Sequence, residues 1–427
     1  MAIHAYYDAA EASLQAARTS VAARGARTGS WQISDVIDAD HQYVDLVMEG
    51  GGVLGIALIG YVYVLEELGV RFLQVGGTSA GSINALLMAA AGPVQEKKTE
   101  WLLTQLTTQN LYEFVDGDDD ARDFVKVLLE NGRLLKYLWK GSQIIDNLTQ
   151  DFGLNPGHAF HAWLRRLLAE RGIASVRDLT TLRTLTAADG LHLRTGEVYA
   201  PAAPIRVALV TADVTTESKV IFPEMAPLYY QEPNEVNPAD FVRASMSVPL
   251  FFHPYQVSSL PRSGQPGGVA WEQATGYQGL IPETVFFVDG GIMSNFPIDV
   301  FHCHYAVPKC PTFGVKLGQS RNRPNSVGKL TSLLGAVFNS ARHVHDYDFI
   351  THHPDYRLLV SYVETSRFNW LDFSLSEQTK VELFAEGARA AANFVAQFDW
   401  EGYKQVRRQL LKAYQVTNAI KPSTSIS

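Results

Sequence analysis

Apolar residues fall into short blocks separated by polar or glycine breaks, and the most regular succession of blocks spans residues 44–91. Residues 44–48, VDLVM, are a brief apolar run with a turn signal behind it, as expected of a buried strand. EGGG follows at 49–52, where no side chain blocks close approach of another backbone. From Ile56 to Leu68 the apolar positions recur at helical spacing, and Glu66, Glu67 and Gly69 mark a solvated end and a stop. Residues 72–75 read as a second strand, GTSAG at 77–81 as a tight turn, and 82–91 as an apolar helix. The succession predicts an α/β fold.

Outside that unit the pattern is coarser. Residues 1–40 read as a polar leader outside the catalytic core, with an Ala-rich helix that packs on the surface or frays. Residues 95–195 read as mostly helical. Strands are predicted at 205–211 and 219–222 across the polar turn 213–218, and again at 285–288 and 312–317. The Gly-, Pro- and Ser-rich stretch 258–283 reads as a long loop, of a length that often serves as a lid or binding element. A helix is predicted over 385–398 and a disordered tail over 417–427. Residues 134–141 mix bulky apolar groups with lysines; a helix facing the core with its lysines outward is favoured over a patch that dips into lipid. The acidic turn at 116–120 lacks the ligand pattern of an EF-hand and reads as a solvated loop.

The candidate chemistry begins at Gly77-Thr78-Ser79-Ala80-Gly81, which matches G-x-S-x-G between a strand and a helix. Such a sharp turn exposes a serine hydroxyl, and flanking glycines relieve the crowding it creates. Backbone N–H groups at the start of the following helix, with its dipole, favour negative charge beside Ser79. A second set from Gly50, Gly51 and Gly52 can complete an oxyanion hole. Far downstream, Asp289 stands at the end of a predicted strand and is followed by Gly290 and Gly291. Of the histidines, His253, His343, His345, His352 and His353 sit in no recognisable turn motif, which favours a Ser–Asp pair over a Ser-His-Asp triad.

Three motifs in this order, Gly50–Gly55, Gly77–Gly81 and Asp289–Gly291, resemble those of the patatin-like phospholipases. The resemblance implies a three-layer α/β/α fold with a mainly parallel central sheet and a largely helical insertion. It assigns Ser79 as nucleophile, Asp289 as its base, and Gly50, Gly51, Gly52 and Ala80 as the oxyanion hole. Gly55, Gly77, Gly81, Gly290 and Gly291 are the remaining motif glycines. It implies hydrolysis of fatty-acyl esters of lipids, of phospholipase A or lysophospholipase type, without metal or other cofactor. Many members carry Arg or Lys where this chain has Leu54, which bears on substrate preference more than on catalysis. The segment 241–254, FVRASMSVPLFFHP, is similar to one that lies near the active site in the family. Its Ser245 and Ser247 lack a glycine turn and read as structural. On this basis residues 41–320 form the catalytic domain, including the insertion 95–195, and 321–427 a helical extension packed on it.

Composition and charge act mainly by exclusion. A length of 427 residues, 46% of them hydrophobic, allows a large core, and a net charge of −8 gives no basic balance for nucleic acid. No apolar run is long enough to span a bilayer, so a cytoplasmic protein, peripheral at membranes, is expected, with a lipid surface as the source of substrate. Cys303 and Cys310 are no disulfide framework, and with His302 and His304 they lack zinc-site spacing. A regulatory ligand or activator is compatible with the resemblance. Two alternatives stay open: a soluble Ser-His-Asp esterase or thioesterase, and a catalytically silent lipid-binding protein.

Overall fold

In the computed structural model, the strands predicted from apolar runs all form. The structure describes residues 3–28, 31–117, 151–302, 305–318, 336, 340, 341, 350, 351 and 353–420. Helix α1 (His4–Thr28) leads to a short strand β1 (Val36–Ile37) and the first core strand β2 (Gln42–Met48). Helix α2 (Gly55–Glu67) returns the chain to β3 (Val70–Thr78), and α3 (Ala80–Ala90) leaves it. The next stretch carries α4 (Thr99–Thr108), β4 (Gly153–Asn155), α5 (His158–Glu170), α6 (Val176–Leu182) and β5 (His192–Leu193). Then come β6 (Val207–Asp213), β7 (Ser218–Phe222), α7 (Pro238–Ser245), β8 (Leu250–Phe252) and β9 (Tyr255–Ser258). They are followed by α8 (Gly268–Thr275), β10 (Thr284–Asp289) and the single turn α9 (Gly291–Ser294). Strands β11 (Thr312–Leu317) and β12 (Val360–Val363) precede two long helices, α10 (Glu377–Gln397) and α11 (Trp400–Ile420).

The central sheet runs β12-β11-β2-β3-β6-β10-β9. Its first five strands are parallel, and β10 and β9 are antiparallel additions. Leu46, Met48 and Leu209 join one apolar cluster while Val47, Ala208 and Val210 join another, so both faces are covered. Burial on both faces is why these strands read as continuous apolar runs rather than as alternation.

Strand β6 organises the functional end of the sheet. One of its edges is taken by β7, from Leu209 to Asp213. Its other edge is shared by two strands. Parallel β3 lies along Val207–Val210 and antiparallel β10 along Thr211–Asp213. The two therefore run toward each other and meet end to end. Thr78 is level with Val210 and Asp289 with Thr211, successive residues that stand about 3.3 Å apart along a strand.

Three regions differ from, or refine, the sequence reading. Tyr6, Ala10, Leu14 and Ala17 of α1 form a buried stripe, and Tyr6 meets Phe384 of α10 edge-on at 5.6 Å. The stretch 258–283 is not a structureless loop. It carries α8, its two ends are tied by bonds such as Ser259 N–H to the Glu283 carbonyl, and Trp271 is buried against Tyr229. Helix α11 continues to Ile420, into the predicted tail. Residues 134–141 and 421–427 lie outside the described residues. Of the acidic turn, Asp116 accepts the N–H groups of Gly157 and Ala159 at 2.8 and 2.9 Å and so caps the start of α5.

Candidate active site

Ser79 sits between the last residue of β3 and the first of α3, with φ 52° and ψ −119°. Such a backbone is rare for a residue with a side chain and persists only where its surroundings enforce it. Here the enforcement is visible. A Cβ on Gly77 would lie 2.5 Å from the carbonyl carbon of Gly81, and one on Gly81 would lie 2.1 Å from the Met48 carbonyl oxygen. The strand therefore turns into the helix only with glycine at both places. The N–H of Ser79 donates to Ser245 Oγ at 2.9 Å, and Ser245 Oγ donates to the Val210 carbonyl at 2.6 Å. Ser245, fully buried at the end of α7, thus clamps the turn to β6. This agrees with the structural role expected of Ser245, for which the sequence offers only the apolar surroundings in 241–254.

The glycine loop follows β2 beside this turn. Gly50 lies against Ser79, since a Cβ there would be 3.1 Å from the Ser79 Cβ, but its N–H donates to the Asn295 carbonyl at 3.0 Å. Gly50 is thus required for close approach and is not a free donor, which corrects its place in the expected oxyanion hole. The N–H groups of Gly51, Gly52 and Ala80 make no hydrogen bond among the described residues. Gly52 has φ +54°, the left-handed region that favours glycine. The loop is anchored from below by Glu49, which is 1% exposed. Its carboxylate accepts from Lys316 Nζ at 2.6 Å, the Leu317 N–H at 2.5 Å and Asn295 Nδ2 at 3.2 Å. Asn84 Nδ2 bridges the carbonyls of Gly55 and Ala80, joining loop to elbow helix. Leu54 is buried.

Asp289 is 2% exposed at the end of β10. Its N–H donates to the Ser247 carbonyl at 2.8 Å, the Gly290 N–H to the Ser245 carbonyl at 3.2 Å, and the Gly291 N–H to Asp289 Oδ1 at 2.7 Å. A Cβ on Gly290 would lie 2.3 Å from the Val210 carbonyl oxygen and 2.9 Å from Thr78 Cγ2. The D-G-G segment is therefore packed directly against the residue preceding Ser79. Arg243 stabilises the same region from its buried position, donating to Ser247 Oγ and to the carbonyls of Pro156 and His253. Among the histidines weighed, His253 is held through its backbone beside Asn155 and its pKa is lowered by burial. The His353 ring packs on Tyr356. His343, His345 and His352 lie outside the described residues.

Ser79 and Ala80 open onto an apolar cleft of about 670 Å³, counting its mouth. Its walls come from α2 and α3 (Ile56, Ile83), from α4, the turn at 111–114 and α5 (Leu106, Leu111, Phe114, Phe160, Trp163), from Met246, Val248 and Phe252, and from Trp370, Leu371 and Phe373. No residue of 258–283 lines it. An apolar cleft thus lies beside the Ser79 turn and beside Gly51, Gly52 and Ala80, whose N–H groups are unbonded among the described residues. Among the described residues no group of three or more His, Cys, Asp or Glu side chains forms a metal site, and no helix is long and apolar enough to cross a membrane. Cys310 is buried, with Sγ 3.8 Å from Asp45 Oδ2, whereas Cys303 and His304 lie outside the described residues.

The patatin-like phospholipase family profile matches residues 46–302. An uncharacterized Bacillus subtilis (strain 168) protein, YqhO, is 28% identical over 363 residues, 84% of this chain and 100% of that protein. Among solved structures, VipD from Legionella pneumophila is 13% identical with a TM-score of 0.39, covering 85% of this chain and 68% of that one. ExoU in its heterodimeric complex with SpcU, from the type III secretion system of Pseudomonas aeruginosa, is 16% identical with a TM-score of 0.33. That match covers 87% of this chain and 54% of the other.

Proposed function

The chain belongs to the patatin-like phospholipase family, and on that premise we propose that it hydrolyses fatty-acyl esters of lipids through Ser79 and Asp289. The observation that carries this reading is the strained Ser79 backbone at the head of an apolar cleft. In the proposed reaction the Ser79 hydroxyl attacks the ester carbonyl carbon while its proton passes to the Asp289 carboxylate. The resulting oxyanion accepts hydrogen bonds from the N–H groups of Gly51, Gly52 and Ala80, which have no hydrogen-bond partner among the described residues. Collapse of this intermediate releases the alcohol portion, which takes the proton from Asp289, and leaves the acyl group on Ser79. Water, deprotonated by Asp289, then attacks the acyl carbon; the bond to Ser79 Oγ breaks, the fatty acid leaves, and Oγ takes the proton back from Asp289.

The substrate class proposed is a phospholipid or lysophospholipid met at a membrane surface. A cleft walled by leucine and aromatic side chains suits one acyl chain, and burial of apolar surface drives its entry. The decisive test replaces Ser79 with alanine, a small change at a site whose backbone is held by its neighbours. Lipid ester hydrolysis and labelling by a fluorophosphonate should both vanish while the thermal transition is preserved. Turnover within about tenfold of the parent would sink the assignment of the nucleophile.

A further inference from the structure

One wall of the cleft comes from the chain beyond the family-matched region, which ends at residue 302. Between β12 and α10 the chain runs as a strap, residues 364–376. It is folded by its own turns, with Phe368 N–H donating to the Thr365 carbonyl, Leu371 N–H to Asn369 Oδ1 and Ser374 N–H to Asp372 Oδ1. Arg367 ties the strap to Glu382 and Glu386 of α10, and further contacts fasten it beside the cleft. The Trp370 carbonyl accepts the Val53 N–H at 3.1 Å and lies so close to Gly52 that a Cβ there would be 2.2 Å from it. Three residues on, Phe373 stacks on Phe251 with ring centres 5.1 Å apart and meets Phe252 edge-on at 6.4 Å. Trp370, Leu371 and Phe373 are all only half-buried, although all three line the cleft.

We propose that this strap is the acyl-chain gauge of the site, with Trp370 seating the carbons next to the oxyanion loop and Phe373 reading chain length beyond them. The reasoning is physical. Half-buried rings lining an otherwise apolar cleft have surface left to remove from water, and a hydrocarbon chain removes it. Each methylene so buried contributes about fourfold in affinity. Trp370 is tied to the glycine loop, so every chain must pass it. Phe373 is tied to Phe251 and Phe252 instead, so only a chain that extends past Trp370 and Leu371 reaches it. This inference rests on the lipid-hydrolase reading for its substrate class, but its test does not need turnover.

The test is binding of octanoate and dodecanoate, by titration calorimetry, to the full chain carrying Ser79→Ala, with and without Trp370→Ala or Phe373→Ala. In the strap-intact protein, dodecanoate should bind more tightly than octanoate, by at least about tenfold. Phe373→Ala should lower that preference by about tenfold or more while changing octanoate affinity by less than about threefold. Trp370→Ala should weaken both acids by a similar factor. Trp370→Phe and Phe373→Leu, which keep apolar bulk, should restore most of each loss and serve if an alanine variant does not fold. A dodecanoate-to-octanoate ratio unchanged by every strap variant overturns the proposal. The same chain lengths, offered as para-nitrophenyl esters to the Ser79 protein, separate the two readings. Fatty-acid binding that depends on the strap in a protein without ester hydrolysis would leave the gauge standing and remove the hydrolase. Hydrolysis with a strap-independent profile would do the reverse.

Discussion

Ser245→Ala is the substitution that most directly tests how the site is held. Ser245 is fully buried, and its Oγ both accepts the Ser79 N–H at 2.9 Å and donates to the Val210 carbonyl at 2.6 Å. Alanine removes one atom and leaves the Ser79 N–H buried without its partner, a loss of about 1–3 kcal/mol in stability. The strained Ser79 backbone itself stores about 1–3 kcal/mol, and this hydrogen bond is one of the contacts that hold it there. If that strain relaxes, the population with the hydroxyl in attacking position falls by about 5- to 150-fold. The assay is the fluorophosphonate labelling rate in buffer where the variant is fully folded, paired with urea unfolding. The control is Ser247→Ala. Ser247 Oγ bonds Arg243 rather than Ser79, so the control should lose stability without a matching loss of labelling. Labelling of Ser245→Ala within about twofold of the parent would refute the reasoning and leave Ser245 a packing residue.

Further outcomes are expected elsewhere. Asp289→Asn keeps size and most hydrogen bonding but cannot take the serine proton, so the acylation rate should collapse with little change in substrate binding. A retained rate in single-turnover experiments would remove Asp289 as base. Gly51→Ala should cost little stability, because its Cβ meets only the end of the Leu317 side chain at 2.5 Å. Gly52→Ala meets the Trp370 carbonyl at 2.2 Å at a positive φ and should lose stability and activity together; thermal melts and hydrolysis rates decide whether the two differ. Asp45 is buried in the middle of β2, accepts from the Gln74 N–H and side-chain amide, and has its pKa pushed by burial from 3.8 to about 7. Ionisation therefore costs more in the folded state. This group lowers stability as pH rises from about 4 to about 7 and has no further effect above that. Asp45→Asn should gain on the parent across that window, by up to about 4 kcal/mol, in urea titrations at several pH values. A constant difference between the two proteins from pH 4 to 8 would contradict it.

What the sequence alone determined was local. The GTSAG turn is legible because its requirement is short-range: Gly77 and Gly81 are needed where strand and helix backbones touch, four positions apart in the chain. The core strands are legible because a parallel sheet buried on both faces demands unbroken apolar runs, and Asp289 stands out because it ends the apolar run of antiparallel β10 and precedes two glycines. What the tertiary structure decided depends on contacts between distant segments. Nothing near residue 79 or 289 announces that β3 and β10 share one edge of β6 and meet end to end; that follows from strand register set by the packing of the whole sheet. The same holds for Gly50, whose N–H is taken by a carbonyl 245 positions away, and for Ser245, whose hydroxyl orders the Ser79 backbone across 166 positions. The cleft, too, is assembled from α4 and α5, from the segment after α7 and from the strap around Trp370. Each reads locally as ordinary apolar sequence, and only the fold gives them a common interior.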